Sequence, residues 1–218
     1  MVDRLVLNDV QLDALQEISN IGASHAATAL SQMVNRDIQI GIPKVKVVQL
    51  EESITLLRDE EEIAGVYLKI SDEVPMYILL LLSKDSSLYL SSLLMGVELD
   101  PSKQILDEMD QEALKEVGNI MMTSFFNSVT ELIGISMIPG PPQIAYDSPE
   151  VILESVMVRF SEVASDVVLF DSDVGDAENK SFKINMFLLP EPRSVDIILS
   201  KLGVLAHNSE IRKKRDNN

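Results

Sequence analysis

Along residues 10–33 apolar and polar positions recur with the period of a helix. With Asp13 at the origin and about 100° per residue, Leu15, Ile18, Gly22, Ala26, Ala29 and Met33 fall between about 140° and 220°. This face is rich in small residues, so it predicts a partner packed closely against it. Asp13, Glu17, Asn20 and Ser24 lie on the opposite side, within about 40° of the origin. Asn8 and Asp9, just before this helix, are good N-cap types. Residues 103–133 repeat the map. Glu112, Glu116, Asn119 and Thr123 take the same four angles, and Leu114, Val117, Met121 and Phe125 face away from them.

The intervening pattern predicts the remaining elements. An extended run over 37–50 passes Gly41 and Pro43, a short helical piece follows over 52–58, and strands lie over 63–70 and 74–82. Four consecutive leucines at 79–82 predict a strand buried on both faces. A helix over 86–95 closes at Gly96. The second half has the same order. Its extended run crosses Gly134, Gly140, Pro141 and Pro142. A helix over 149–161 is capped by Asp147 or Ser148, with Pro149 suited to its first position. Strands over 166–170 and 181–189 flank the acidic loop DSDVGDAENK, and a final helix over 194–202 ends at Gly203. Adjacent strand pairs between helices predict an α+β fold: an internally duplicated, pseudo-twofold domain whose largely antiparallel sheet packs with two long equivalent helices. The expectation is one domain, 1–218, made of two repeats (about 11–98 and 103–203) joined near Pro101, with a flexible tail over 204–218.

Composition narrows the function. A chain of 218 residues can bury a sizeable core. It has no cysteine, which excludes disulfides, thiolate catalysis and Cys-ligated metal and fits a reducing cytoplasm. A formal charge of −17 argues against nucleic acid, whose binding rests on phosphate neutralisation. The basic cluster Arg212–Arg215 reads as part of a solubilising tail. The N-terminus has no apolar signal-peptide core, and the longest apolar run, 76–82, is too short to span a bilayer, so membrane insertion is not expected.

The candidate chemistry lies on the two polar stripes. Glu17-x-x-Asn20 and Glu116-x-x-Asn119 stand 99 residues apart. One Glu-x-x-Asn on a surface helix arises readily by chance. Two at matching registers are harder to dismiss, because Asn is a mediocre helix former and both helices place it in mid-course. Pro43 follows Asn20 with 22 residues between, and Pro142 follows Asn119 with the same gap. The doubled pattern resembles the signature of the CheC/CheX/FliY family of chemotaxis phosphatases: Asp or Ser, x3, Glu, x2, Asn, x22, Pro. The first copy matches at Asp13, Glu17, Asn20 and Pro43. The second matches at Glu116, Asn119 and Pro142, with Glu112 standing where the family has Asp or Ser. The resemblance covers about 11–203, and two intact pairs without a long appended domain are most similar to the CheC type.

The resemblance implies hydrolysis of the aspartyl phosphate on the response regulator CheY. Such a step needs an in-line water and charge stabilisation more than covalent help. Asn20 and Asn119 would orient the water, since a carboxamide both donates and accepts without titrating. Glu17 and Glu116 would dock the regulator by gripping a cation on it, with Asp13, Glu112, Pro43 and Pro142 in support. No cofactor of the chain's own is expected; the Mg2+ would sit in the regulator. The family also implies binding of the deamidase CheD, for which the helix beginning near Asp147 is the candidate contact. The alternative is a non-catalytic module that binds phosphorylated CheY or CheD. A flagellar-switch structural role is a third reading.

Other signals are weaker. His25, at about 120° on the wheel, sits at the edge of the buried face, and His207 is in the tail, so neither a metal site nor a His-based triad is expected. Asp171, Asp173 and Asp176 lack the order of an EF-hand loop and read as a solvated hairpin. Met121-Met122 and Phe125-Phe126 each place one member on the buried face, as core. Val151, Val156 and Phe160 read as packing positions of the helix that follows Asp147. The Gly/Pro stretches lack the spacing of a phosphate-binding loop.

Overall fold

The computed structural model describes residues 5–49, 60–160, 166–176, 181–191 and 193–204. The piece expected over 52–58, His207 and the tail from 205 onward lie outside them.

Helix α1 spans Asp9–Val34. Its N-cap is Asn8, whose side chain accepts from Gln11 N–H while the Gln11 side chain accepts from Asn8 N–H, a reciprocal box that satisfies two orphan donors. Strands β1 (Ile38–Ile40), β2 (Lys44–Gln49), β3 (Ile63–Asp72) and β4 (Met76–Ser83) follow, then helix α2 (Lys84–Met95), closed by Gly96 at φ 66°. Helix α3 spans Glu108–Ile133. Strands β5 (Met137–Pro139) and β6 (Gln143–Asp147), helix α4 (Pro149–Phe160), strands β7 (Asp166–Asp176) and β8 (Ser181–Pro190), and helix α5 (Ser194–Lys201) complete the order.

Most element ends lie within about two residues of the sequence expectation, and two boundaries depart from it further. Helix α3 starts at Glu108, not near Lys103. Asp100 accepts from Ser102 N–H, and Lys103 bonds Asp107 and Asp110, so the polar side chains hold this stretch as a turn ahead of the cap. Asp107 and Asp110 then form the same reciprocal box as Asn8 and Gln11. The expected acidic loop after Phe170 is strand as far as Asp176. Asp171 pairs with Lys44, and the Asp173 carbonyl accepts from Gly41 N–H.

Every strand pairing is antiparallel within one eight-stranded sheet, ordered β1–β7–β8–β4–β3–β5, with β2 also on β7 and β6 also on β3. The outer strands are traded. β1 and β2 pair with β7, from late in the chain, while β5 and β6 reach back to β3. The registers correspond: Ile38 faces Asp176 and Met137 faces Asp72, while Lys44 faces Asp171 and Gln143 faces Tyr67. β4 and β8 meet at the centre, Leu80 opposite Met186.

The leucines of β4 are buried on both faces, as their run predicts. Leu80 and Leu82 join the core beneath α1 and α3; Leu79 and Leu81 join a second cluster capped by Ile152 of α4. Helices α1 and α3 pack together on the first face. Gly22 makes this possible, since a Cβ there would stand 2.4 Å from the Phe125 ring. Gly118 similarly lets α3 approach β3, where a Cβ would lie 2.7 Å from Val66 Cγ1. The buried face of α1 winds along the helix. Leu15, Ile18, Gly22 and Ala26 are buried as expected, but Leu30 and Val34 succeed them, and Ala29 and Met33 are only half-buried. His25 is consequently exposed. Both members of each Met and Phe pair on α3 are buried, because α3 is enclosed by α1, α2 and the sheet.

Candidate functional site

The capping boxes fix where each long helix begins, and the buried stripe fixes which way it faces. Together they turn the motif residues outward. Asp13 and Glu17 are exposed, and Asn20 is half-buried one turn on, beside the segment that carries Pro43. On α3, Glu112 and Glu116 are exposed and Asn119 is half-buried. The Glu17 and Glu116 carboxylates are therefore open to a partner's cation, and each carboxamide sits in a more sheltered place.

Pro43 is buried, and its loop is tied to α1 by a residue outside the motif. Gln16 donates from Nε2 to the Pro43 carbonyl and to Asn20 Oδ1 at 3.3 Å, while its Oε1 accepts from Val45 N–H at 3.2 Å. Gln16 thus brings Asn20 and Pro43 together. The sequence signal for it is the i,i+4 spacing from Gln16 to Asn20, which sets two amides side by side on a helix. An open groove runs on from Asn20 between α1 and the β1–β2 segment, lined by Ser24, Thr28, Gln39, Ile42 and Pro43 among others.

The second stripe is held differently. Lys115 occupies the place of Gln16, 99 residues on, and its ammonium pairs with Glu112 at 2.5 Å. Pro142 is half-buried, and Gln143 beside it accepts from the Tyr67 hydroxyl at 2.5 Å. Beneath the first turn of α3, Asp110 is buried and bonds Lys103 at 2.5 Å and Ser91 Oγ at 2.9 Å. The Lys103 hydrogen bond, with the Asp110 backbone N–H, holds the Asp107 carboxyl down to about 2.

Asp147 lies at the exposed end of β6, where its carboxylate accepts from Ser148 N–H; Ser148 Oγ in turn accepts from Val151 N–H to cap α4. Of the packing positions expected on α4, Val151 is 47% exposed, and the core contact is made by Ile152. The Val156 and Phe160 side chains lie outside the described residues. Val158 is also exposed, two turns beyond Val151 on the same side. Among the described residues, no group of three or more His, Cys, Asp or Glu is arranged to hold a metal ion, and no helix is long and apolar enough to cross a membrane.

A family model described as the CheC-like family matches residues 10–47, the segment that holds Asp13, Glu17, Asn20 and Pro43. The chain is 24% identical over 200 residues to the CheY-P phosphatase CheC of Bacillus subtilis, covering 90% of this chain and 96% of that protein. Its fold is similar to the crystal structure of Thermotoga maritima FliY, with a TM-score of 0.77 and 23% identity over 92% of this chain and all of that one. A more distant similarity, TM-score 0.50 and 18% identity, covers 83% of this chain and 99% of a chain in the CheX–CheY–BeF3–Mg2+ complex of Borrelia burgdorferi. Family model, near full-length relative and mixed helix and antiparallel-sheet fold agree, and the resemblance of this chain to the CheC/CheX/FliY family, drawn from its two Glu/Asn motifs, holds.

Proposed function

We propose that this chain hydrolyses the aspartyl phosphate of a CheY-type response regulator, at two sites. The observation that carries the reading is the doubled stripe: an exposed carboxylate one turn before a sheltered carboxamide, at Glu17/Asn20 and again at Glu116/Asn119. Glu17 and Glu116 dock the regulator through a cation on its surface, fixing its register. Asn20 and Asn119 enter beside the acyl phosphate and orient the attacking water. Asp13 and Glu112 extend the docking stripes, and Pro43 and Pro142 shape the loops beside each Asn. The regulator supplies the Mg2+ that neutralises the phosphoryl oxygens. The similarity to a CheY-P phosphatase along nearly the whole chain supports this reading, as does the fold shared with a chain in a CheX–CheY complex.

The same proposal takes the two halves as an internal duplication, with α1 and α3 as equivalent helices in one cytoplasmic domain. The traded strands with corresponding registers support it. The exposed Val151 and Val158 on α4, beyond Asp147, favour this helix as the contact for CheD. Val158→Glu is expected to abolish CheD binding in a calorimetric titration and to leave phosphatase activity intact; retained binding would remove α4 from the contact.

The decisive experiment measures dephosphorylation of the regulator by Asn20→Ala, Asn119→Ala and the double variant. Loss of a water-positioning group costs about 2–4 kcal/mol, or roughly 30- to 1,000-fold in rate at its site. The double variant should be inert while still binding the regulator. A double variant that retains turnover sinks the proposal, and a non-catalytic binding role would leave all three variants equal to the parent.

A further inference from the structure

Gln16 is in neither motif, yet the Asn and Pro of the first motif meet at its side chain. Two backbone groups determine which way its amide points. Val45 N–H can only donate, so it takes Oε1; the Pro43 carbonyl can only accept, so it takes Nε2. The other Nε2 hydrogen is left for Asn20 Oδ1 at 3.3 Å, with Ser19 Oγ at 3.4 Å as a lesser share. The orientation therefore passes on to Asn20, whose oxygen is held toward Gln16 and whose NH2 is the end left to face a ligand. Without that contact the two ends of a carboxamide can exchange places.

Lys115, at the matching place, cannot do this. An ammonium has three donors and no acceptor, so it cannot receive the N–H of Ile144, the residue that matches Val45. It is drawn instead to Glu112. Among the described residues no hydrogen bond holds the Asn119 side chain.

We propose that Gln16 is a positioning residue that sets the orientation of the Asn20 carboxamide and fastens it to the Pro43 loop, so that the first site is preorganised and the second is not. The inference rests on the phosphatase reading above for its kinetic consequence, and on the hydrogen bonds alone for its structural one.

The test uses the full chain with Asn119→Ala, so that only the first site turns over. Adding Gln16→Ala should lower kcat about tenfold with KM within about twofold, because docking through Glu17 is untouched and alignment is lost. Gln16→Glu keeps the acceptor for Val45 but turns the Asn20 NH2 inward, and kcat should fall at least as far. With Asn20→Ala instead, Gln16→Ala should leave second-site turnover unchanged. In parallel, NMR of the regulator-free protein should show the Asn20 side-chain NH2 losing order in Gln16→Ala. An equal loss of turnover in the Asn20→Ala background overturns the inference, since Gln16 would then act through the fold. Unchanged order of the Asn20 NH2 also overturns it, and this readout does not depend on activity. A parent chain inert toward the regulator overturns the phosphatase reading alone.

Discussion

The first and second stripes each carry an exposed Glu and a half-buried Asn and rest on different supports. Under the first, the parts are neutral amides: Asn8 and Gln11 close the helix start, and Gln16 joins Asn20 to the Pro43 loop. Under the second, the same places hold charges. Asp107 and Asp110 close the helix start against Lys103, and Lys115 is paired with Glu112. The backbone is nearly indifferent to the exchange, because a carboxylate and a carboxamide accept the same N–H bonds. The difference is felt in how the support responds when disturbed. A neutral support tolerates loss of a partner, whereas a buried charge does not.

The largest effect should come from the helix starts. Asp110→Ala leaves Lys103 with Asp107 alone and removes bonds to Ser91 and to the Asp107 N–H; it should cost about 2 kcal/mol, whereas Gln11→Ala should cost about 1 kcal/mol. Urea melts of the two variants measure this, and equal losses would erase the contrast between charged and neutral supports. Next in size is the exchange of clamps. Lys115→Gln in the Asn20→Ala background frees Glu112 and restores an amide beside Asn119. Second-site kcat should rise about threefold if the clamp can be transplanted; no rise would mean that the Pro142 loop is set too differently to receive it. Smallest is a pH effect. Asp107 has its carboxyl held down to about 2 in the fold, below its ordinary value of 3.8, so its contribution is present above that ordinary value and is lost as pH falls from about 4 through about 2. Asn8 has nothing to titrate. Protection of the Asp110 amide against exchange should therefore fall across this range while protection of the Gln11 amide does not.

Much of this was legible in the chain because periodicity reports burial. The angles of Leu114, Val117, Met121 and Phe125 gave the inner face of α3, and the leucines at 79–82 gave a strand buried on both sides. The expectation for the far end of α1 failed at Ala29, Met33 and His25. A straight wheel assumes a straight seam, and over 26 residues the seam against α3 and the sheet drifts around the helix. The start of α3 lies later than the pattern predicts: Lys103 and Asp107 have the i,i+4 spacing of a helical pair, yet their contact ties a turn to the cap residue itself. The role of Gln16 is not legible in the sequence for a related reason. Its partners at Pro43 and Val45 come from a strand turn that helical spacing cannot anticipate.

The traded outer strands bear on how the chain is made. A ribosome that has released only the first half has produced β1 and β2 without β7, and β3 with its outer edge bare of β5 and β6. Folding of that half must wait for residues synthesised much later, since long-range pairings close large loops before they return any stability. The early edges of β2 and β3 are then open to other chains for the length of a translation pause. Synonymous slowing of translation in the second half would lengthen that exposure, and a chaperone that covers nascent strand edges would be of greatest use to this protein before β7 leaves the exit tunnel.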